Sequence, residues 1–212
     1  MIASMLNRYA FLVDTYATEI EKVLSVWSMV DDRDLRVRPR AGDRRGRSML
    51  EHMVHQCASE DGWFRTMFDI QVADSPLPVA ETRLAFLRHY ADCAGRRLAA
   101  LRGRDDAFWE QVVPFFAVQR ARTWIMVRRI AHTSHHRGQQ TMLLRALGHS
   151  LYSTYGPTAD TGGLAKDKPQ VIYPYADVAT LLAEEPGARR KQSLPAAPDR
   201  DVTERPDADT GP

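Results

Sequence analysis

Three histidines lie within five positions of a long helical pattern, at His132, His135 and His136. Residues four apart lie on the same side of a helix, one turn from each other, so His132 and His136 should present their imidazoles together. Two imidazoles at this spacing can bind one divalent ion, whereas His135 points to one side of the pair. The spacing predicts half of a metal site, although solvated helices that bind nothing also carry such pairs.

A closed set of ligands needs at least one further side chain from another helix. The segment SMLEHMVHQCASEDGW, residues 48–63, offers two histidines, His52 and His55. His52 lies about 60° around the helix from His55, so helical geometry leaves both residues open as the third ligand. The side that carries His55 has small residues, which would leave room for a pocket. These are Ala58, Ser59, Gly62 and Thr66.

Apolar residues recur at steps of three and four along four segments, and this spacing predicts four amphipathic helices. The first runs from about residue 2 to 27 and the third from 84 to 101. The second begins at Ser48, where Glu51 completes a capping box, and runs to about residue 70. The fourth covers about residues 120–147, and Gly148 follows it as a C-cap.

No segment between these helices gives a credible strand, and residues 105–119 predict only a short helical turn that Pro114 breaks. The predicted fold is therefore all-α, a four-helix bundle over residues 1–150. Residues 151–185 contain enough apolar side chains to pack on the bundle as an extension with a short helix. Residues 186–212 are rich in proline and poor in large aliphatic residues, which predicts a disordered tail.

Composition argues against two classes of partner. The formal net charge is only +2, and no apolar run reaches the length of a membrane span, so neither a nucleic acid nor a membrane is expected. An arginine-rich loop at residues 33–47 is the one basic segment that could meet phosphates. Cys57 and Cys93 form no metal or redox spacing, which predicts buried reduced thiols and a cytoplasmic protein.

The two histidine segments together resemble the DinB/YfiT-like superfamily of metal-dependent proteins. Its first motif places a histidine on the second helix, followed by an acidic residue and an aromatic residue. His55, Glu60 and Trp63 match that motif. Its second motif is H-x-x-x-H-R-G-Q on the last helix of the bundle, which residues 132–139 match. The resemblance covers roughly the first 150 residues of the chain.

This resemblance implies a bundle of up-down-down-up type in which His55, His132 and His136 hold one divalent ion. Zinc, nickel, iron and manganese all suit three imidazoles, so the metal stays open. Gln139 could orient a ligand or a bound water, and it could equally face solvent. His52 and His135 are expected to line the pocket around the ion without binding it. The resemblance to the superfamily also implies a homodimer.

Related proteins of the superfamily, such as mycothiol-dependent maleylpyruvate isomerases, use the metal to activate a low-molecular-weight thiol. The leading hypothesis is therefore a metal-dependent S-transferase or isomerase that acts on a small-molecule substrate. A metal-dependent hydrolase and a non-catalytic metal-binding stress-response protein are the alternatives. The second alternative would be favoured if Trp63, Trp124 or Tyr155 covered the open face of the ion.

Overall fold

The fold is described from a computed structural model, which covers residues 8–196 and 201–205. It contains the four predicted long helices, so the all-α bundle is confirmed. They are α1 (Ala10–Met29), α2 (Met49–Met67), α3 (Arg83–Leu101) and α5 (Arg122–Ala146), and a short helix, α4 (Asp106–Glu110), precedes α5. The first residues of the predicted first helix, 1–7, lie outside the described residues.

The four long helices follow the predicted up-down-down-up order. In the packing, α1 contacts α3 and α5, while α2 contacts the same two helices from the other side. Trp27 near the end of α1 packs on Phe86 near the start of α3, and Tyr16 packs on Phe64 in the last part of α2. Helices α2 and α3 therefore both run antiparallel to α1. Arg122, the first residue of α5, binds the last residue of α2, so α5 runs parallel to α1.

Two helix ends follow the sequence signals. The Ser48 side chain accepts a hydrogen bond from the Glu51 amide, and the Glu51 carboxylate accepts one from the Ser48 amide, so the predicted capping box starts α2. Gly148 has a φ of 82°, and its amide donates to the Arg145 carbonyl. The His149 amide reaches back to the last turn of α5, which completes a Schellman motif.

The expectation that no strand separates the helices is wrong. Residues after α4 form an antiparallel hairpin of β1 (Val112–Phe115) and β2 (Val118–Ala121). Pro114 lies within β1, where a two-stranded sheet tolerates it because one edge of the strand needs no amide donor. Phe116 takes the left-handed conformation at the turn, with a φ of 52°. Proline in an apolar run thus marks an edge strand here, and the hairpin leads directly into α5.

Residues after Gly148 cover one side of the bundle. Leu151, Tyr175 and Leu181 are buried in the same apolar core as the long helices, and α6 (Val178–Glu184) packs on α1 and α3. Contact continues past residue 186, since the Lys191 ammonium donates to the Ser28 carbonyl. The division into bundle, extension and tail stays a prediction, and residues 197–200 and 206–212 of the predicted tail lie outside the described residues.

A buried ion pair joins α1 to α5. The Arg137 guanidinium donates to both carboxylate oxygens of Glu19, and both side chains are only 4% exposed. Ser134 donates to the same carboxylate at 3.1 Å, and Lys22 lies 3.1 Å from it. Because the carboxylate has four donor groups from three residues around it, its burial is compensated. The arginine that follows His136 in the sequence therefore holds the helix rather than a ligand.

Replacing Glu19 with leucine should destabilise the protein by about 3–5 kcal/mol, because the Arg137 charge would remain buried without its carboxylate. The double variant Glu19→Leu/Arg137→Leu should recover much of that loss. Urea denaturation measures both effects. Asp92→Ala, which removes one partner of the exposed pair Asp92–Arg96, is the control and should change stability by less than about 1 kcal/mol. Equal losses of stability in Glu19→Leu and Asp92→Ala would contradict the role of the Glu19–Arg137 pair in holding α5 on α1.

Candidate metal centre

The structure brings His55, His132 and His136 together between α2 and α5. One ring nitrogen from each residue lies within 4.8 Å of the other two. The Nε2 atom of His132 lies 3.4 Å from Nε2 of His55 and 3.2 Å from Nε2 of His136. Three nitrogens from two helices thus face a common point, and His52 is not among them.

These separations can be compared with the geometry of a bound ion. Metal–imidazole bonds of about 2.0–2.1 Å in a tetrahedral arrangement require the nitrogens to be roughly 3.3 Å apart. The distances of 3.2 and 3.4 Å lie on either side of that value. All three donor atoms are imidazole nitrogens, which zinc, nickel, iron and manganese accept as ligands. The residues present therefore fit a divalent ion with three protein ligands.

Gln139 fixes the ring of His136. Its Oε1 atom lies 2.8 Å from Nδ1 of His136, one turn earlier on α5. An amide oxygen can only accept, so this contact places the proton on Nδ1 and leaves the lone pair of Nε2 free for a ligand bond. Gln139 is exposed and also contacts His136, so the two interpretations from the sequence, orientation of a ligand and a position facing solvent, do not exclude each other.

Buried arginines set α5 against α2. Arg122 donates from Nε to the Met67 carbonyl at 2.8 Å, and its guanidinium also pairs with Asp69, just beyond α2. Two turns further along α5, Arg129 is 1% exposed and donates to Ser59 on α2 at 3.1 Å. Helical spacing alone does not indicate these roles, because the acceptors lie on another helix. The positions of these arginines determine which residues of the two helices face each other.

Burial holds the imidazoles in their neutral form. It is the main cause that lowers the pKa of His132 to about 3, and the nearby charge of Arg129 adds to the effect. Burial likewise lowers the pKa of His136 to about 4 and reduces the pKa of His55. Neutral imidazole is the ligand form, so protons compete weakly for this site at neutral pH.

His52 and His135 flank the triad without joining it. The His52 ring lies 5.6 Å from the ring of His136, and its side chain is buried, with burial lowering its pKa to about 4. His135 is exposed, and its ring lies 4.9 Å from that of His136. Both residues line a cleft of about 890 Å³ beside the triad. Their role around a bound ion stays a prediction.

Aromatic side chains cover one side of the triad only. The Trp63 ring lies 5.7 Å from the His132 ring and packs against Phe115 of the hairpin. Tyr155 is 82% exposed, and Trp124 is 43% exposed. Neither of these two residues has a ring contact with the histidines among the described residues. The open face is therefore not covered by Tyr155 or Trp124.

A second cluster of potential metal ligands is already paired with basic side chains. Asp31, Asp34 and His149 bring one ligand atom each within 4.8 Å of one another. His149 pairs with Asp34 at 3.0 Å, and Asp31 pairs with Arg189 at 3.3 Å. Arg33 lies within ion-pair distance of both carboxylates. These contacts compensate the acidic groups, so the histidine triad is the better metal site.

Comparison with known proteins gives two findings. The sequence model described as the DinB family matches residues 31–163, which is more than half of the chain. The chain belongs to the DinB family. A crystal structure of a DinB-like protein from Bacillus cereus ATCC 10987 shares the fold, with a TM-score of 0.60 and 18% identity over 68% of this chain and 95% of that chain. A search of curated proteins gave no match.

The family motif contains one residue that the structure places away from the site. Glu60 follows His55 at the expected spacing but is fully buried, with Tyr16 donating to it at 2.6 Å and Tyr90 at 3.3 Å. Arg97 and Arg129 lie within ion-pair distance of it, at 3.4 and 3.8 Å. In this DinB protein the acidic residue of the motif therefore belongs to the core network.

The two cysteine thiols of the chain are buried in the core. Cys57 and Cys93 are free and buried, and burial raises the pKa of both thiols. A buried thiol with a raised pKa is a poor nucleophile. Any thiol chemistry at the centre therefore requires a thiol from another molecule.

Lowering the pH should destabilise the metal-free protein. Its buried imidazoles have folded-state pKa values near 3 and 4, below the ordinary 6.5, so the unfolded chain binds more protons between these values. Stability should fall as the pH drops from about 6.5 toward 4, as measured by thermal unfolding.

The variant His132→Gln should show a weaker dependence of stability on pH over the same interval. His135→Gln, which changes an exposed residue of the same helix, is the matched control and should behave as the original protein does. If His132→Gln and the original protein lost stability equally with falling pH, the neutral state assigned to this imidazole would be wrong.

Proposed function

We propose that this DinB protein is a metal-dependent enzyme whose divalent ion is held by His55, His132 and His136. The observation that carries the proposal is the convergence of three Nε2 atoms at separations that suit one ion. Gln139 would keep the His136 ring in its ligand orientation. When bound, the ion would supply Lewis acidity, which makes a neighbouring thiol or water a nucleophile near neutral pH.

An S-transferase or isomerase that uses a low-molecular-weight thiol is the favoured activity. Hydrolysis is aided by a carboxylate base close to the attacking water. Among the described residues, the carboxylates that line the clefts beside the triad are Glu51 and Glu81, and arginines pair with both. A thiol is more acidic than water and depends less on such a base. This difference supports the thiol over the hydrolase alternative.

Access to the centre supports turnover over a purely metal-binding role. A cleft of about 680 Å³ is lined by the triad residue His55, and a second of about 890 Å³ is lined by His52, His135 and Gln139, which neighbour the triad. Both have room for a small-molecule substrate. A non-catalytic metal-binding protein does not need this space.

The arginine-rich loop at residues 33–47 lies at these clefts. Several of its arginines pair with carboxylates, so the loop offers less free positive charge to a nucleic acid.

A homodimer in the cytoplasm is part of the proposal. No helix in the described part of the chain could cross a membrane. Phe116, Trp124 and Val127 are exposed on the hairpin and the first turns of α5. Exposed apolar side chains that lie close together are typical of surfaces that a second subunit covers. Sedimentation of the purified protein measures this oligomeric state.

Metal content tests the triad directly. Protein purified without a histidine tag should contain about one divalent ion per chain, and His55→Ala, His132→Ala and His136→Ala should each lose it, because two imidazoles bind far more weakly than three. Elemental analysis gives the stoichiometry. His135→Ala is the matched control on the same helix and should keep the ion. Retention of metal by His55→Ala together with its loss from His135→Ala would refute the assignment.

Gln139→Leu should weaken metal binding by about tenfold to a hundredfold, because the His136 ring would lose the acceptor that orients it. Competition with a chelator measures this affinity. Gln139→Glu restores an acceptor at the same place and should retain tight binding. Unchanged affinity in Gln139→Leu would show that the contact has no role at the centre.

Activity distinguishes the two enzymatic hypotheses. Metal-loaded protein should transfer a small thiol to an electrophilic acceptor and should not hydrolyse simple esters. Loss of transfer in His132→Ala, with transfer kept in His135→Ala, would link the reaction to the triad. Ester hydrolysis without thiol transfer would favour the hydrolase.

A further inference from the structure

The cleft of about 890 Å³ beside the triad has a polar end and an apolar wall. It lies between the loop that precedes α2 and the outer turns of α5. Arg47, His52 and Gln139 line its polar part, and Met142 and Leu143 contribute apolar surface. A cleft with this lining suits a ligand that has both a charged group and a hydrocarbon portion.

Arg47 is the uncompensated charge of this cleft. Arg45, the other arginine in the lining, pairs with Asp43 at 3.0 Å, whereas Arg47 forms no ion pair within the described residues. Arg47 also lines the neighbouring cleft beside His55. Within the lining of the larger cleft, Arg47 is therefore the one arginine without an ion pair in the described part of the chain, and this single cation matches a ligand with one negative charge.

His52 supplies a polar group at the same end of the cleft. Its side chain is only 5% exposed, and its Nδ1 atom has no hydrogen-bond partner within the described residues. A buried imidazole without a partner costs free energy that a ligand would recover. Its neutral ring can donate one hydrogen bond to an anion, which complements the guanidinium of Arg47.

Gly138 keeps the cleft open. It lies inside α5, where glycine is less stable than alanine by about 0.5–1 kcal/mol. A Cβ atom at this position would meet nothing within 4 Å, so neither packing nor backbone conformation requires glycine. Because Gly138 lines the cleft, a larger side chain would project into the space beside His135 and Gln139. This cost in helix stability is consistent with a space reserved for a ligand.

From these observations we infer that the cleft binds the carboxylate of a small organic acid, with Arg47 as its main contact. The inference rests on the proposed function, and it adds that the substrate or thiol of the centre is a monoanion with an aliphatic portion against Met142 and Leu143. Arginine binds a carboxylate through two parallel hydrogen bonds, which fixes the orientation of the ligand relative to the triad. Arg47 is thus a substrate-positioning residue.

The test compares two thiols that differ only in the carboxylate. Protein loaded with cobalt(II) is titrated with mercaptohexanoate and with hexanethiol, and the cobalt absorbance gives a Kd for each. The carboxylate should improve binding by about tenfold, the effect of one charge-assisted hydrogen bond. Arg47→Ala should remove this preference and leave the Kd of hexanethiol unchanged. Arg40→Ala, at an exposed arginine of the same loop that lines neither cleft, should keep it.

A second measurement separates this inference from the proposed function. Metal-free protein is titrated with hexanoate, hexanol and hexyl phosphate, and amide NMR shifts report binding. Hexanoate should bind better than the other two, and Arg47→Ala should abolish the difference. Failure to take up cobalt would refute the metal centre while this titration still tests Arg47. Equal binding of hexanoate and hexanol, a preference for the phosphate, or an unchanged preference in Arg47→Ala would overturn the inference.

Discussion

The candidate centre depends on the antiparallel register of α2 against α5. Its ligands come from both helices, and a shift of one residue along either helix moves a ring by about 1.5 Å and turns it by about 100°. Arg122 ties the start of α5 to the end of α2, and Arg129 binds Ser59 in the middle of the interface. These contacts are buried and directional, so they select one register where apolar packing alone tolerates several.

Charge in this protein is distributed so that the centre is cationic. Glu60 and Glu19 are buried in networks with tyrosines or arginines, away from the open side of the triad. Arg129 is near enough to His132 to lower the pKa of that imidazole but pairs with Glu60 at 3.8 Å, whereas Arg47 lines the adjacent cleft without an ion pair among the described residues. The three imidazoles are neutral, so they would leave the full charge of a bound ion uncompensated. Such surroundings favour anionic nucleophiles and anionic substrates.

Much of the fold followed from local patterns, and the exceptions have physical causes. Apolar spacing predicted the long helices, and the capping box at Ser48 predicted where α2 begins. The hairpin at 112–121 was missed because Pro114 ends helices and central strands alike, and only the sheet partner shows that β1 is an edge. The structural roles of Arg137 and Arg129 did not follow from local patterns, because the burial of a long cationic side chain depends on acceptors from distant segments.

The sequence by itself determined the pair His132 and His136, because residues four apart on one helix meet whatever surrounds them. It also determined family membership, which the match over residues 31–163 established independently. Helical spacing left His52 and His55 open, and the family resemblance implied His55; only the tertiary structure brings the His55 ring next to His132 and His136, since the distance of each histidine to α5 depends on how α2 is rotated. The position of Arg47 at the cleft was likewise decided by the path of a loop, because no helical or strand period constrains loop residues.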